Sequence, residues 1–127
     1  MTTQTPKASM NSITVVPDTN TFTTIVKLIS LTYDKPYVAI TEEVALQLES
    51  RGIIVKRVVS DRFGASCQVA LKIAPDFMRK AGSINRADLQ VGYCYEVLIN
   101  PYSFVYQGKT GISLQTNFMV DLGRNLI

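Results

Sequence analysis

The chain reads as a mostly β domain, a small barrel of about five or six strands with one short helix near 42–51. Three observations predict it. β-branched and aromatic residues recur in short runs, two of those runs alternate apolar with polar residues, and turn residues punctuate the chain at short spacing. A length of 127 residues makes one ordinary domain, able to bury a core without a metal or a disulfide.

Residues 1–11 are polar, Thr/Ser-rich and carry a Pro, the composition of a flexible N-terminal arm before a single domain over 12–127. Segments 13–16 and 22–32 are strands rich in Thr, Val and Ile, with turn chemistry between them in Pro17-Asp18-Thr19-Asn20. Thr41 then caps a helix. Glu42 and Glu43 suit its positive end, and Gly52 stops it. Val44, Ala45 and Leu48 give it an apolar side, so it lies against a sheet or across a barrel mouth.

Strands over 53–59 and 66–74 follow, joined by Ser60-Asp61-Arg62-Phe63-Gly64 as a hairpin loop. In the second of them Cys67, Val69, Leu71 and Ile73 face inward, while Ser66, Gln68, Ala70 and Lys72 face outward. Pro75 ends that strand, and a turn of helix fits 76–80. A strand over 93–99 stops at Asn100-Pro101. The last, over 112–120, points Ile112, Leu114, Phe118 and Val120 inward and Ser113, Gln115, Asn117 and Met119 outward. A closed, OB-like β-barrel fits this count and spacing, with a sandwich as the alternative.

The net charge of +3 says little, but its distribution says more. Between Arg51 and Arg86 stand eight basic residues and only two acidic ones, Asp61 and Asp76. Such a block attracts a polyanion; a plain solvated surface is the competing reading. Cys67 and Cys94 are the only cysteines and lie in strand-like segments, so buried free thiols are expected, with no metal site and no cofactor. No apolar run approaches the roughly 18 residues of a membrane span. The first residues lack the apolar centre of a secretory signal, so the cytoplasm is the expected location.

The chain contains no His, which removes the commonest general base and the commonest metal ligand together. Gly108-Lys109-Thr110-Gly111 lacks the spacing of a phosphate-binding Walker loop. Glu42 and Glu43 are explained by the helix start. No enzymatic activity is expected.

Aromatic residues on strands, near basic ones, are the chemistry that is present. Tyr102, Phe104 and Tyr106 lie at alternate positions, so an extended backbone sets all three on one face. Bases of a single strand stack on such rings, each contributing roughly 1–3 kcal/mol. Tyr93 and Tyr95 repeat the spacing on the preceding strand. Burial in the core is the competing reading for every ring. Arg62 and Phe63 at the hairpin tip form a second candidate, the Arg for a phosphate and the ring for a base. Lys56, Arg57 and Lys72 on the flanking strands are further candidates for phosphate, with Lys56 and Arg57 on opposite faces.

The run over 102–123, with Gln107-Gly108-Lys109, Ser113-Leu114 and Val120-Asp121-Leu122-Gly123, resembles a segment of phage-type single-stranded DNA-binding proteins. There a Gly-Lys turn leads into a strand ending Val-Asp-Leu-Gly. The resemblance implies an OB-type fold, usually dimeric, that coats single-stranded DNA with little sequence preference. It also implies a stacking and phosphate-binding role for Tyr102, Phe104, Tyr106 and Lys109.

The expected function is therefore a non-catalytic, homo-oligomeric coat for single-stranded nucleic acid, DNA before RNA, acting in replication or recombination. With about four phosphates neutralised, log affinity would fall against log salt with a slope near −3. The alternative is a self-assembling viral structural protein, a coat or tail component, whose aromatic faces are subunit interfaces.

Overall fold

A computed structural model describes residues 11–31, 36–61, 64–73 and 88–123, the side chains of Ser60, Asn117 and Phe118 aside. Within them run β1 (Thr14–Val15), β2 (Phe22–Ser30), β3 (Tyr37–Ile40), α1 (Glu42–Glu49), β4 (Lys56–Ser60), β5 (Gly64–Ala70), β6 (Lys72–Ile73), β7 (Cys94–Tyr106) and β8 (Lys109–Gly123). The mostly β expectation is met. Residues 1–10 of the expected arm over 1–11, the Arg62-Phe63 tip and the turn of helix over 76–80 lie outside the described residues.

β2 shows why the chain forms strands. Its Phe22, Thr24, Val26 and Leu28 are buried while the residues between them are half-exposed, the period of two that a pleated strand requires. Val16 and Thr21 close the preceding turn through a backbone bond of 2.8 Å, with Asp18 at φ 63. α1 starts where Thr41 Oγ1 accepts from the Val44 N–H at 3.4 Å. It ends in a Schellman turn: the Ile53 N–H donates to the Leu48 carbonyl at 3.1 Å, and that of Gly52 to Glu49 at 3.0 Å. Gly52 takes φ +85, a left-handed conformation that favours glycine. Val44, Ala45, Leu48 and Ile53 enter the core, so the helix stop itself seats Ile53. Gln47 fastens the start of the described chain to α1, accepting from the Ile13 N–H at 3.0 Å.

All eight strands form one sheet, in the order β4-β5-β3-β2-β7-β8-β6, with β1 added beside β2. The expected closed barrel of five or six strands is corrected here: the sheet has more strands, it curls, and it does not close. β5 pairs with β3 along one edge, Tyr37↔Ala70 to Ile40↔Cys67, and with β4 along the other, from Ser60↔Gly64 to Lys56↔Gln68. Past Gln68 the β4 pairing stops. After Leu71, β6 takes β8 as a parallel partner through Lys72↔Gln115 and Ile73↔Thr116 alone. This exchange of partners curls the sheet and leaves a wedge between the start of β4 and the nearby part of β8.

β7 and β8 form a long antiparallel hairpin. β7 pairs with β2 only as far as Phe22↔Ile99. Beyond that point 100–106 pairs with β8 alone and projects as a ribbon roughly 23 Å long by strand rise. Pro101 does not end the strand, as the sequence suggested. It lies where β7 has lost its β2 partner, so its missing N–H costs no ladder bond on that side. Gln107 (φ 50) and Gly108 (φ 77) make the two-residue turn, both left-handed as a type I′ hairpin demands.

A register shift beside Leu98 and Ile99 sets Leu98 opposite Phe118 but Ile99 opposite Thr116. That extra residue reverses the phase of β8. Leu114, Thr116 and Met119 are buried, so Met119 points inward and not outward as expected from uninterrupted alternation. From β5 through Leu71 into β6, by contrast, Cys67, Val69, Leu71 and Ile73 are buried as the alternation predicts, with Gln68 buried beside them.

Candidate nucleic-acid interface

Cross-strand pairing sorts the ribbon into two faces. Tyr102 stands opposite Ser113, Phe104 opposite Gly111 and Tyr106 opposite Lys109, so the three aromatic residues share one face. Ser103, Val105 and Ile112 belong to the other. Tyr102 is half-buried, whereas Phe104 is 42% and Tyr106 67% exposed. Of the second aromatic pair, Tyr95 is a core residue: it is wholly buried, and its hydroxyl oxygen accepts from the Gln90 N–H at 2.9 Å. For this ring the competing reading, burial in the core, holds, and Tyr93 packs half-buried against the same core.

Two grooves flank the base of the ribbon, of about 190 and 210 Å³. Ile53 and Ile112 line both and separate them. The first holds Tyr102 and Arg51. The second is the wedge beside β4, where Phe104 meets Tyr37, Ile54 and Lys56. Phe104 reaches it because Gly111 has no side chain; a Cβ there would lie 2.6 Å from the Phe104 Cζ. The Lys56 ammonium stands 5.5 Å from the centre of the Tyr37 ring, a cation–π arrangement. Among the described residues, no Asp or Glu lines either groove. Among the described residues, neither Arg51 nor Lys56 has a carboxylate partner.

Three cations border the ribbon. Tyr102 shares a groove with Arg51, Phe104 shares one with Lys56, and Tyr106 faces Lys109 across the turn. Sequence reasoning missed Tyr37, and it counted Arg51 only within the basic block. Neither neighbours the triplet along the chain; strand pairing and the Gly52 stop bring them together.

Other expected phosphate contacts are placed elsewhere. Arg57 lies on the opposite face of β4 and donates to Glu42 and Glu49, the closest approach being 2.8 Å to each. Its charge is paired with two carboxylates of α1. Lys72 is half-buried on β6 beside Gln115 and lines neither groove. Arg62 and Phe63 lie outside the described residues.

The Arg57 cluster has its own chemistry. The Arg57 guanidinium, followed by a hydrogen bond from the Cys67 thiol at 2.9 Å, holds the Glu42 carboxyl below its ordinary value. Burial, and then the same bond to Glu42, pushes the Cys67 thiol up to about 11, so it is a neutral thiol at pH 7. Cys67 and Cys94 are both free and buried. Among the described residues no three His, Cys, Asp or Glu gather as a metal site, and no helix is long and apolar enough to cross a membrane.

No family model, curated protein or solved structure matches the chain.

Proposed function

We propose that this protein binds single-stranded nucleic acid, coating it without sequence preference as a homo-oligomer in the cytoplasm, with DNA as the substrate in replication or recombination. The ribbon is the single observation that carries the proposal: three aromatic residues on one face, cations near its base and tip, and, among the described residues, no carboxylate lining the grooves at its base. Flat rings accept any base, and cations without an acidic partner accept phosphate in exchange for counterions. The resemblance of 102–123 to phage-type single-strand-binding proteins points the same way. In this reading the curled sheet is an OB-type barrel opened at the wedge beside β4.

Fluorescence anisotropy with labelled single-stranded DNA, duplex DNA and single-stranded RNA, at low and moderate salt, tests it. The expected result is preference for single strands, with a log–log salt slope near −2 for three phosphate contacts at roughly −0.7 each. A flat salt response, or equal binding to duplex, removes the proposal.

One observation favours the second reading, a self-assembling viral structural protein. Val105 is 70% exposed on the ribbon face away from the aromatic triplet, and base stacking gives it no task. Light scattering after size exclusion separates the two: a dimer fits the first, a large assembly formed without nucleic acid fits the second.

A further inference from the structure

We infer that the wedge beside β4 is a site for one unpaired nucleobase. Phe104 is the ring it stacks on, Gln68 meets its edge, Lys56 takes the adjoining phosphate, and Tyr37 positions Lys56. The inference rests on the single-strand reading above and names how one position of that site is filled.

Strand register sets both walls of the wedge on the same side of the sheet. On one wall Lys56 stands opposite Gln68 and Tyr37 opposite Ala70, and Gln68 and Ala70 flank the core residue Val69. Tyr37, Lys56 and Gln68 therefore belong to the face turned away from the core. On the other wall Phe104 stands opposite Gly111, in phase with Ser113 and out of phase with the core residue Leu114. Phe104 and Ser113 thus belong to that outer face as well. All five line one groove of about 210 Å³. It is smaller than the roughly 300–1,000 Å³ that encloses a drug-sized ligand, so a base enters while its sugar and phosphate stay outside.

The walls divide the work by part of the nucleotide. Phe104, 42% exposed and lying over Gly111, offers a flat ring for stacking. The Gln68 amide nitrogen donates to Ser66 Oγ at 2.9 Å. Among the described residues that leaves one N–H and the carbonyl oxygen of Gln68 without a protein partner. A donor and an acceptor together suit the edge of any base, in keeping with binding that has no sequence preference. The Lys56 ammonium stands 5.5 Å from the centre of the Tyr37 ring, whose face holds the charge at the wedge for the phosphate next to the base. In a duplex the bases are stacked and their edges paired, so only an unpaired base reaches the groove. The wedge thus selects single strands by shape as well as by charge.

The test titrates isotope-labelled wild-type protein with a short oligothymidylate and with an abasic chain of the same length, followed by NMR. The Gln68 side-chain amide and the Gly111 backbone N–H are expected to shift with the oligothymidylate and to stay in place with the abasic chain. Anisotropy then compares Tyr37→Leu and Tyr37→Phe, with thermal melts to establish that each is folded. Tyr37→Leu is expected to lose affinity about two- to fivefold, the worth of one exposed cation–π contact, while Tyr37→Phe keeps the ring and binds as wild type does. Equal losses in the two variants remove the positioning role of the ring. If the oligothymidylate binds but leaves Gln68 and Gly111 unshifted, or the abasic chain shifts them equally, the wedge holds no base and the single-strand reading stands. If the wild-type protein binds no single strand, both fall together.

Discussion

The Phe104 ring lies across the backbone of Gly111, its partner on β8, so closely that an added Cβ would meet the Cζ at 2.6 Å and the Cε1 at 2.9 Å. An aromatic covering a strand glycine shields backbone that would otherwise face water. Here it also swings a β7 side chain over β8 and into the groove beside β4. A missing side chain at one position decides where a ring at another points.

Gly111→Ala is expected to displace that ring and lower single-strand affinity about as much as Phe104→Ala, roughly tenfold. The fold should persist. An alanine in a strand interior gains about 0.5–1 kcal/mol over glycine, which offsets lost ring packing. Anisotropy and a thermal melt on the same sample check both halves. Full affinity in Gly111→Ala places Phe104 outside the interface.

Lys56 and Arg57 are adjacent in sequence and face opposite ways. Lys56→Gln is expected to weaken single-strand binding and reduce the salt slope by about 0.7. Arg57→Gln is expected to leave the slope unchanged, because its guanidinium is bonded to Glu42 and Glu49. Equal effects from the two variants remove the distinction.

Stability should fall in acid through the Arg57 cluster. Hydrogen bonds from Arg57 come first among the causes that hold Glu42 and Glu49 below their ordinary value of 4.5. The folded state therefore keeps these anions where the unfolded chain would take up protons. That stabilisation is present above pH 4.5 and is lost as pH falls below it through the folded values. Midpoints of thermal unfolding, followed from neutral pH to acid, should drop more steeply in wild type than in Arg57→Gln. Parallel curves for the two contradict it.

Cys67 works at the other end of the scale. Its thiol is raised from 9.0 to about 11, so the folded state favours the neutral form. The contribution is intact below pH 9.0 and is lost as pH rises toward about 11. In native protein at pH 8, a thiol reagent should label neither Cys67 nor Cys94 quickly, and should label both after denaturation. Rapid labelling of the native state means one thiol is accessible.

Gly52→Ala is expected to cost about 1–2 kcal/mol, since a residue with a Cβ is strained at φ +85. The added methyl itself meets only an ordinary contact, 3.5 Å from the Ile112 Cδ1. Denaturant unfolding measures the loss. An unchanged midpoint shows that the turn relaxes without cost.

Local chemistry was legible in the chain by itself. The alternation of Cys67, Val69, Leu71 and Ile73, the cap at Thr41 and the stop at Gly52 depend on neighbours a few residues away, and short-range sterics and hydrogen bonding decide them. The spacing of Tyr102, Phe104 and Tyr106 likewise put three rings on one face, and their exposure follows from the ribbon projecting beyond β2. Tertiary structure decided the rest, because it depends on which strand pairs with which and at what register. The shift beside Leu98 and Ile99 turned Met119 inward, and loss of the β2 partner let β7 run through Pro101. Glu42 and Glu49 claimed Arg57 once α1 packed against β4 and β5. The partner exchange between Gln68 and Lys72 opened the wedge that unites Tyr37, Lys56 and Phe104. Side-chain periodicity is a property of one strand, whereas a groove between strands exists only after long-range pairing has chosen its walls.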